Sequence, residues 1–318
     1  MPKYSFIIPV FNRPDEVEEL LDSLCLQTFK DFEVLIIEDG STKKCEIVCR
    51  KFDNKLNLRY YFKGNSGQGF SRNYGFERAT GSYFIQLDSD VIVPANYLEI
   101  VDNQLTKYHL DAFGGPDAAH NSFTDTQKAI NYSMTSFFTT GGIRGKKNNA
   151  GGQFHPRSFN FGISREVWLK TGGYNWTRKA EDIEFSIRII ENGFKVGLIP
   201  EAFIYHKRRT SFKQFFKQLE FFGRGRINLS KTFPNELKLV HYFPFIFSIG
   251  VCLIPIFYFV WKPLFFLGIV FIVIYSLAVF IDSYLQNKSS SVAFLSILAS
   301  FTQLTAYGLG FFKEMIGR

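Results

Sequence analysis

Residues 83–90 read Y-F-I-Q-L-D-S-D. A short run of aromatic and aliphatic residues, closed by polar turn formers, is the pattern of a buried strand. Two carboxylates, Asp88 and Asp90, stand at its carboxyl end. Clustered acids beside an apolar strand cost free energy unless a cation joins them. A divalent cation carrying a diphosphate fits that need, because hard cations prefer oxygen ligands and retain substrate phosphate oxygens. An isolated D-x-D is common, so its meaning rests on the sequence around it.

Upstream the pattern alternates. Residues 4–10 (YSFIIPV), 32–37 (FEVLII) and 58–62 read as strands. Residues 14–26 begin with acids and carry Val17, Leu20, Leu21 and Leu24 at helical spacing. Residues 66–79 read as a second helix, entered through Gly67 and Gly69. The alternation implies an α/β fold with a mostly parallel sheet and right-handed crossovers. Ligands of such sheets sit at the carboxyl ends of the strands. The polar clusters after the first, second and fourth strands all fall there.

The chain has 318 residues, 46% hydrophobic and 18% aromatic, which excludes a disordered or fibrous protein. Its four cysteines, Cys25, Cys45, Cys49 and Cys252, are no disulfide framework, so a reducing compartment is expected. The net charge of +8 is concentrated. Residues 204–232 hold eight lysines and arginines against one acid, Glu220. Nucleic acid is a poor partner for this collar, because long apolar runs follow it directly. Residues 242–260 and 263–281 are uncharged for 19 residues each, and 292–312 for 21. About 20 apolar residues cross a hydrocarbon core, so a membrane domain of two or three helices is expected over 233–318. The first two runs read as a helical hairpin. The third carries Ser296, Ser300, Thr302, Gln303 and Thr305, which suits an interface or packing against the hairpin as well as a span. The basic collar places the N-terminal domain, 1–232, on the cytoplasmic side of the cell (inner) membrane, with membrane lipids as partners. Residues 1–10 read as a strand, not as a signal peptide. Phe212, Phe215, Phe216, Leu219 and Phe222 recur at helical spacing among lysines and arginines, so a basic amphipathic helix on the membrane surface is expected near 208–230.

The chain resembles the family 2 glycosyltransferases, which have the Rossmann-like GT-A fold. The resemblance rests on F-I-I-P-V-F-N-R at 6–13, I-I-E-D-G-S at 36–41, G-F-S-R-N-Y-G at 69–75 and L-D-S-D at 87–90. It continues through N-F-G-I-S-R-E-V at 160–167, G-G-Y at 172–174 and A-E-D-I-E-F-S-I-R at 180–188. It implies that Pro9, Phe11, Asn12 and Arg13 line a nucleotide pocket. Asp39 would contact the base, and Arg72 the base or phosphates. Asp88 would touch the ribose or the metal, and Asp90 would bind a divalent cation, Mg2+ or Mn2+. In some members of the fold a histidine at the place of His206 is a further metal ligand.

Glu181-Asp182 opens a helix. An acid there complements a helix dipole, and it also suits a general base, since a sugar hydroxyl must lose its proton as it attacks. The resemblance favours Asp182 for that role, with Glu181 in support. Direct displacement would invert the anomeric centre. Gln218 begins Q-L-E-F-F, whereas processive synthases of the family carry Q-x-x-R-W, which argues against polymer threading. Residues 141–157, rich in Gly, Lys and Asn, suit a loop that closes over the donor. The sequence thus reads as an inverting glycosyltransferase. It would move one sugar from a nucleotide-sugar donor to a lipid-linked or saccharide acceptor, in cell-surface polysaccharide or glycolipid synthesis. One variant glycosylates polyprenyl phosphate directly. A different class, a non-catalytic membrane assembly factor that binds nucleotide-sugar, would have no need of the clustered carboxylates.

Overall fold

The computed structural model describes residues 1–141 and 153–317. The centre of the expected closing loop, 142–152, lies outside the described residues. In chain order the elements are β1 (Tyr4–Val10), α1 (Pro14–Cys25), β2 (Phe32–Asp39), α2 (Glu46–Arg50), β3 (Leu58–Lys63) and α3 (Gln68–Phe76). Next come β4 (Tyr83–Leu87), β5 (Val91–Ile92), α4 (Tyr97–Tyr108), β6 (Ala112–Gly114), β7 (Asp117–Ala118), α5 (Asp125–Thr135) and α6 (Phe137–Thr140). Then follow β8 (Asn160–Ser164), α7 (Arg165–Thr171), α8 (Glu181–Glu191), β9 (Val196–Leu198) and β10 (Ile204–His206). The chain ends in α9 (Phe212–Thr232), α10 (Phe243–Val260), α11 (Lys262–Asn287) and α12 (Ser290–Met315).

These elements pack as two units. The first holds 1–120 and 153–207, and the second holds 121–141 and 208–317. The first contains a seven-stranded sheet in the order β3-β2-β1-β4-β8-β6-β9. Strands β1 to β4 run parallel, as the alternation implies, while β8 runs antiparallel to both β4 and β6. The sheet is therefore mixed. Both faces are covered, which is why β1, β2 and β4 are buried almost throughout and mostly apolar rather than alternating. Phe6 and Ile8 face Leu20, Leu21 and Leu24 of α1. Ile7, Leu35 and Ile37 face Phe76 of α3 and Phe185 of α8. A Cβ on Gly75 would lie 2.5 Å from Ile7 Cγ2, so α3 meets β1 where only glycine fits.

A second, three-stranded sheet in the order β5-β10-β7 positions the chemistry. Strand β5 begins one residue after Asp90. His206 of β10 pairs with Val91 of β5, and Ile204 pairs with Asp117 of β7. The Lys207 amide donates to the Asp90 carbonyl at 2.9 Å. Three segments far apart in the chain thus converge on the end of β4.

The second unit is helical. Helices α10 and α11 lie side by side, with Phe247 against Tyr275 and Tyr258 against Phe265. Helix α9 packs along α12, and α5 joins them: Phe215, Leu219, Ala129, Ile130 and Ala299 share one core. The sequence reading groups 208–232 with the N-terminal domain and gives the apolar stripe of this helix to lipid. By packing, α9 belongs to the second unit and its stripe is covered, because α12 offers a small-residue face that side-chain periodicity in α9 cannot reveal. The two helices touch backbone to backbone. A Cβ on Gly223 would lie 2.2 Å from the Tyr307 carbonyl oxygen, and one on Gly310 only 2.0 Å from that of Glu220. Close approach through small residues is the usual basis of such helix pairs. Replacing Gly310 by valine forces the pair apart. We expect a loss of about 1–3 kcal/mol, read as a lower melting temperature of the solubilised full chain, while Gly250→Val, where a Cβ meets open space, leaves packing unchanged.

Candidate active site

The site is built from the end of β4. Asp90 is nearly buried, and Arg13, from the turn after β1, pairs with its Oδ2. His206 Nε2 lies 3.2 Å from the other oxygen of Asp90. Burial works against the Asp90 carboxylate, but His206 and Arg13 outweigh it and hold its pKa far below the usual carboxylate range. On the far side of the imidazole, Nδ1 lies 3.6 Å from Asp117 Oδ2. Asp117 was missed by the sequence reading, because β7 is two residues long and carries no motif; only its pairing with β10 brings it to the site.

Asp88 is partly exposed and accepts from Arg72 Nη2 at 2.7 Å. Arg72 itself is completely buried, flanked by the Tyr174 ring, with Nη1 3.7 Å from Glu181 Oε1. Arg72, expected from the resemblance to reach the base or phosphates, makes these contacts within the protein. It lies beneath the site and ties the acid at the end of β4 to the acid at the start of α8. Glu181 is likewise buried and accepts from Gln68 of α3. Burial first, and the neighbouring Asp182 second, push its pKa up to about 8, against the pull of Arg72.

Asp182 points elsewhere. Its carboxylate accepts from the Ser158 amide at 3.3 Å and lies 3.9 Å from Arg157. Ala180, immediately before the pair, is left-handed at φ 57°, a conformation that costs a non-glycine residue free energy and commonly marks a functional turn. That turn precedes two adjacent acids with different surroundings, Glu181 buried beside Gln68 and Arg72 and Asp182 beside Ser158 and Arg157.

Asp39, at the end of β2, accepts from Lys63 and from the Ser66 and Gly67 amides at 2.8 Å each. Burial opposes the charge, but Lys63 and the two amides outweigh it and lower the pKa. Asp39 thereby anchors the loop that enters α3, the helix that carries Gln68 and Arg72. Glu38 accepts instead from the Cys45 amide and Tyr60. Asn12, expected against the nucleotide, is left-handed at φ 56°, and its Oδ1 accepts from the Thr42 and Lys43 amides at 2.8 and 2.9 Å. It braces the β1 and β2 loops against each other. Pro9 is the penultimate residue of β1, and the Phe11 ring beyond it is 51% exposed. Contacts therefore connect Asp39, through α3 and Arg72, to Asp88, Asp90 and the start of α8.

Could these residues hold a metal? Asp88, Asp90 and His206 each offer a ligand atom, all within 4.8 Å of one another. Two carboxylates and an imidazole form a donor set suited to a divalent cation such as Mn2+. The residues fit.

A mixed, Rossmann-like sheet with acids at the carboxyl end of its fourth strand defines a GT-A glycosyltransferase domain, here followed by long apolar helices. Residues 5–168, just over half of the chain, match the family described as "Glycosyl transferase family 2", and the chain belongs to that family. It is 36% identical to an uncharacterized glycosyltransferase of Rickettsia typhi over 106 residues, 33% of each protein. It is 34% identical to the poly(ribitol-phosphate) β-N-acetylglucosaminyltransferase TarS of Staphylococcus aureus over 115 residues, 35% of this chain and 20% of TarS. The chain thus spans about a third or less of these relatives' length. Among solved structures it is similar to a mannosyltransferase of Pyrobaculum calidifontis in complex with GDP-Man and Mn2+. There the TM-score is 0.55 and the identity 16%, over 72% of this chain and 64% of that one.

Glu181 supplies a pH test. The folded protein holds its proton up to about pH 8, whereas the ordinary value is 4.5. The associated stability is fully present below 4.5 and is lost as pH rises toward 8. Thermal unfolding of the full chain between pH 5 and pH 8 is expected to show that decline, and Glu181→Gln is expected to flatten it.

Proposed function

We propose that this glycosyltransferase is inverting and cation-dependent, and that it moves one sugar from a nucleotide-sugar to a lipid-linked acceptor at the cytoplasmic face of a membrane. The product would enter cell-surface polysaccharide or glycolipid synthesis. The observation that carries this reading is the gathering of Asp88, Asp90 and His206 within 4.8 Å. Asp182 adds to it, sharing a helix start with the Glu181 that Arg72 ties to Asp88. The names of related proteins, one acting on a poly(ribitol-phosphate) and one solved with GDP-Man and Mn2+, point the same way.

In this reading Asp88, Asp90 and His206 would hold the cation, and Asp117, 3.6 Å from His206 Nδ1, would be a positioning residue for the imidazole. When bound, the cation neutralises charge on the leaving diphosphate. Phe11 and Pro9 border the nucleotide, and Asp39 supports the loop beneath it. Asp182 accepts the proton of the acceptor hydroxyl as its oxygen bonds to the anomeric carbon. The bond from that carbon to the diphosphate oxygen breaks, and its electron pair leaves with the nucleoside diphosphate. Attack from the face opposite the leaving group inverts the centre. Arg13, paired with Asp90 in the structure, carries a positive charge to the place where the diphosphate charge develops.

The test is a screen of nucleotide-sugars for Mn2+-dependent release of nucleoside diphosphate by membranes containing the full chain. Asp90→Asn is expected to abolish Mn2+-dependent nucleotide binding. Asp182→Asn should keep that binding and lose about 10²–10⁴-fold in turnover. Near-normal turnover of Asp182→Asn would point instead to an acceptor already ionised, such as a polyprenyl phosphate. Asp117→Asn is expected to weaken Mn2+ about tenfold or more, with Asp117→Glu restoring part of it; unchanged Mn2+ affinity removes the positioning role.

A further inference from the structure

Among the described residues three helices are long and apolar enough to cross a membrane, but their packing divides them. In α10 and α11 only 6% of the most apolar window is buried inside the protein, against 50% in α12. Helices α10 and α11 form an antiparallel hairpin whose tip is Trp261. Helix α12 meets this hairpin at the end away from that tip. Phe294 lies against Phe280, and Ser296 shares a hydrogen bond with Ser283. Phe301 then reaches Tyr275 and Phe247, and Phe312 stacks on Phe245. Both ends of α12 therefore sit beside the hairpin's base. A 26-residue helix is about 39 Å long, so α12 runs across that base and not alongside the hairpin to its tip.

The partners of α12 confirm which environment suits it. One face is pressed on α9, with Lys313 on Glu220 at 2.8 Å and Lys231 on Glu314 at 3.1 Å. Helix α9 also carries Lys213, Lys217, Arg224 and Arg226. Crossing the bilayer with α12 would take α9 and its charges along, which hydrocarbon strongly disfavours. The opposite face is apolar and exposed: Phe294, Leu298, Leu309, Phe312 and Ile316 are 37–65% exposed. Their spacings of 4, 11, 3 and 4 residues put all five on one narrow helical stripe.

We infer that α12 is an interfacial helix. Its exposed stripe lies in the headgroup–acyl boundary of one leaflet, and only α10 and α11 cross. This inference rests on the membrane reading above and deepens it. An even number of crossings returns the chain's last residues to the side where α9, and the catalytic unit that precedes it, reside.

The experiment uses the full chain in cells, with the two solvent-reachable cysteines replaced (Cys25→Ser and Cys252→Ser), the buried Cys45 and Cys49 kept, and Lys238→Cys, Trp261→Cys or Gly317→Cys introduced one at a time, probed by a membrane-impermeant maleimide. Labelling of position 261 from outside, with 238 and 317 labelled only after permeabilisation, is the expected result. External labelling of 317 together with 261 overturns the inference, because α12 then crosses. Shielding of 261 in intact cells overturns the crossing by the hairpin, and with it the earlier membrane reading. A nitroxide at Leu298→Cys or Leu309→Cys in phosphatidylglycerol-containing proteoliposomes is expected to collide with dissolved oxygen at shallow depth. Free access of an aqueous nickel chelate to both positions would show that stripe facing water and sink the interfacial seat.

Discussion

Two carboxylates at the end of a buried strand must be neutralised before the surrounding fold is stable. Asp88 and Asp90 follow β4, which is flanked on both sides and covered on both faces. Left alone, such charges carry a large desolvation cost. The protein answers with three cationic or ionisable partners from three different segments: Arg13 after β1, Arg72 in α3 and His206 in β10. Each partner fixes the element that bears it. Arg72 spans furthest, since from its fully buried place it pairs with Asp88 after β4 and lies beside Glu181 at the start of α8.

This arrangement explains why adjacent acids behave differently. Glu38 and Asp39 are neighbours, yet one is held among Cys45 and Tyr60 and the other anchors the entry to α3, because successive side chains of a strand point to opposite faces. Glu181 and Asp182 are separated by helix geometry and by the left-handed turn at Ala180. In both pairs the two members take different partners: Glu38 and Asp39 anchor different loops, and Glu181 faces Gln68 and Arg72 while Asp182 faces Ser158 and Arg157.

The apolar strands and the acids after them were legible in the sequence, because periodicity and strand-end chemistry are local. So was the GT-A fold, which the ordered motifs carry. The sequence was less informative where a role depends on depth. Arg72 reads as a ligand contact by type, and only coordinates reveal it as fully buried. Asn12 reads as a pocket residue, but its left-handed backbone turns the side chain to the loop amides. Asp117 has no local signal at all. The covered stripe of α9 has a similar origin: amphipathicity tells that one face is hidden, not whether lipid or α12 hides it.

The small sheet has a consequence for biosynthesis. His206 lies on the last strand before the helical region, and its strand is the middle one of β5-β10-β7. The acid cluster therefore stays incomplete until nearly all of the first unit has left the ribosome. It can close before α10 and α11 have been translated. The order of elements in the chain thus places every strand of the catalytic unit ahead of the long apolar helices.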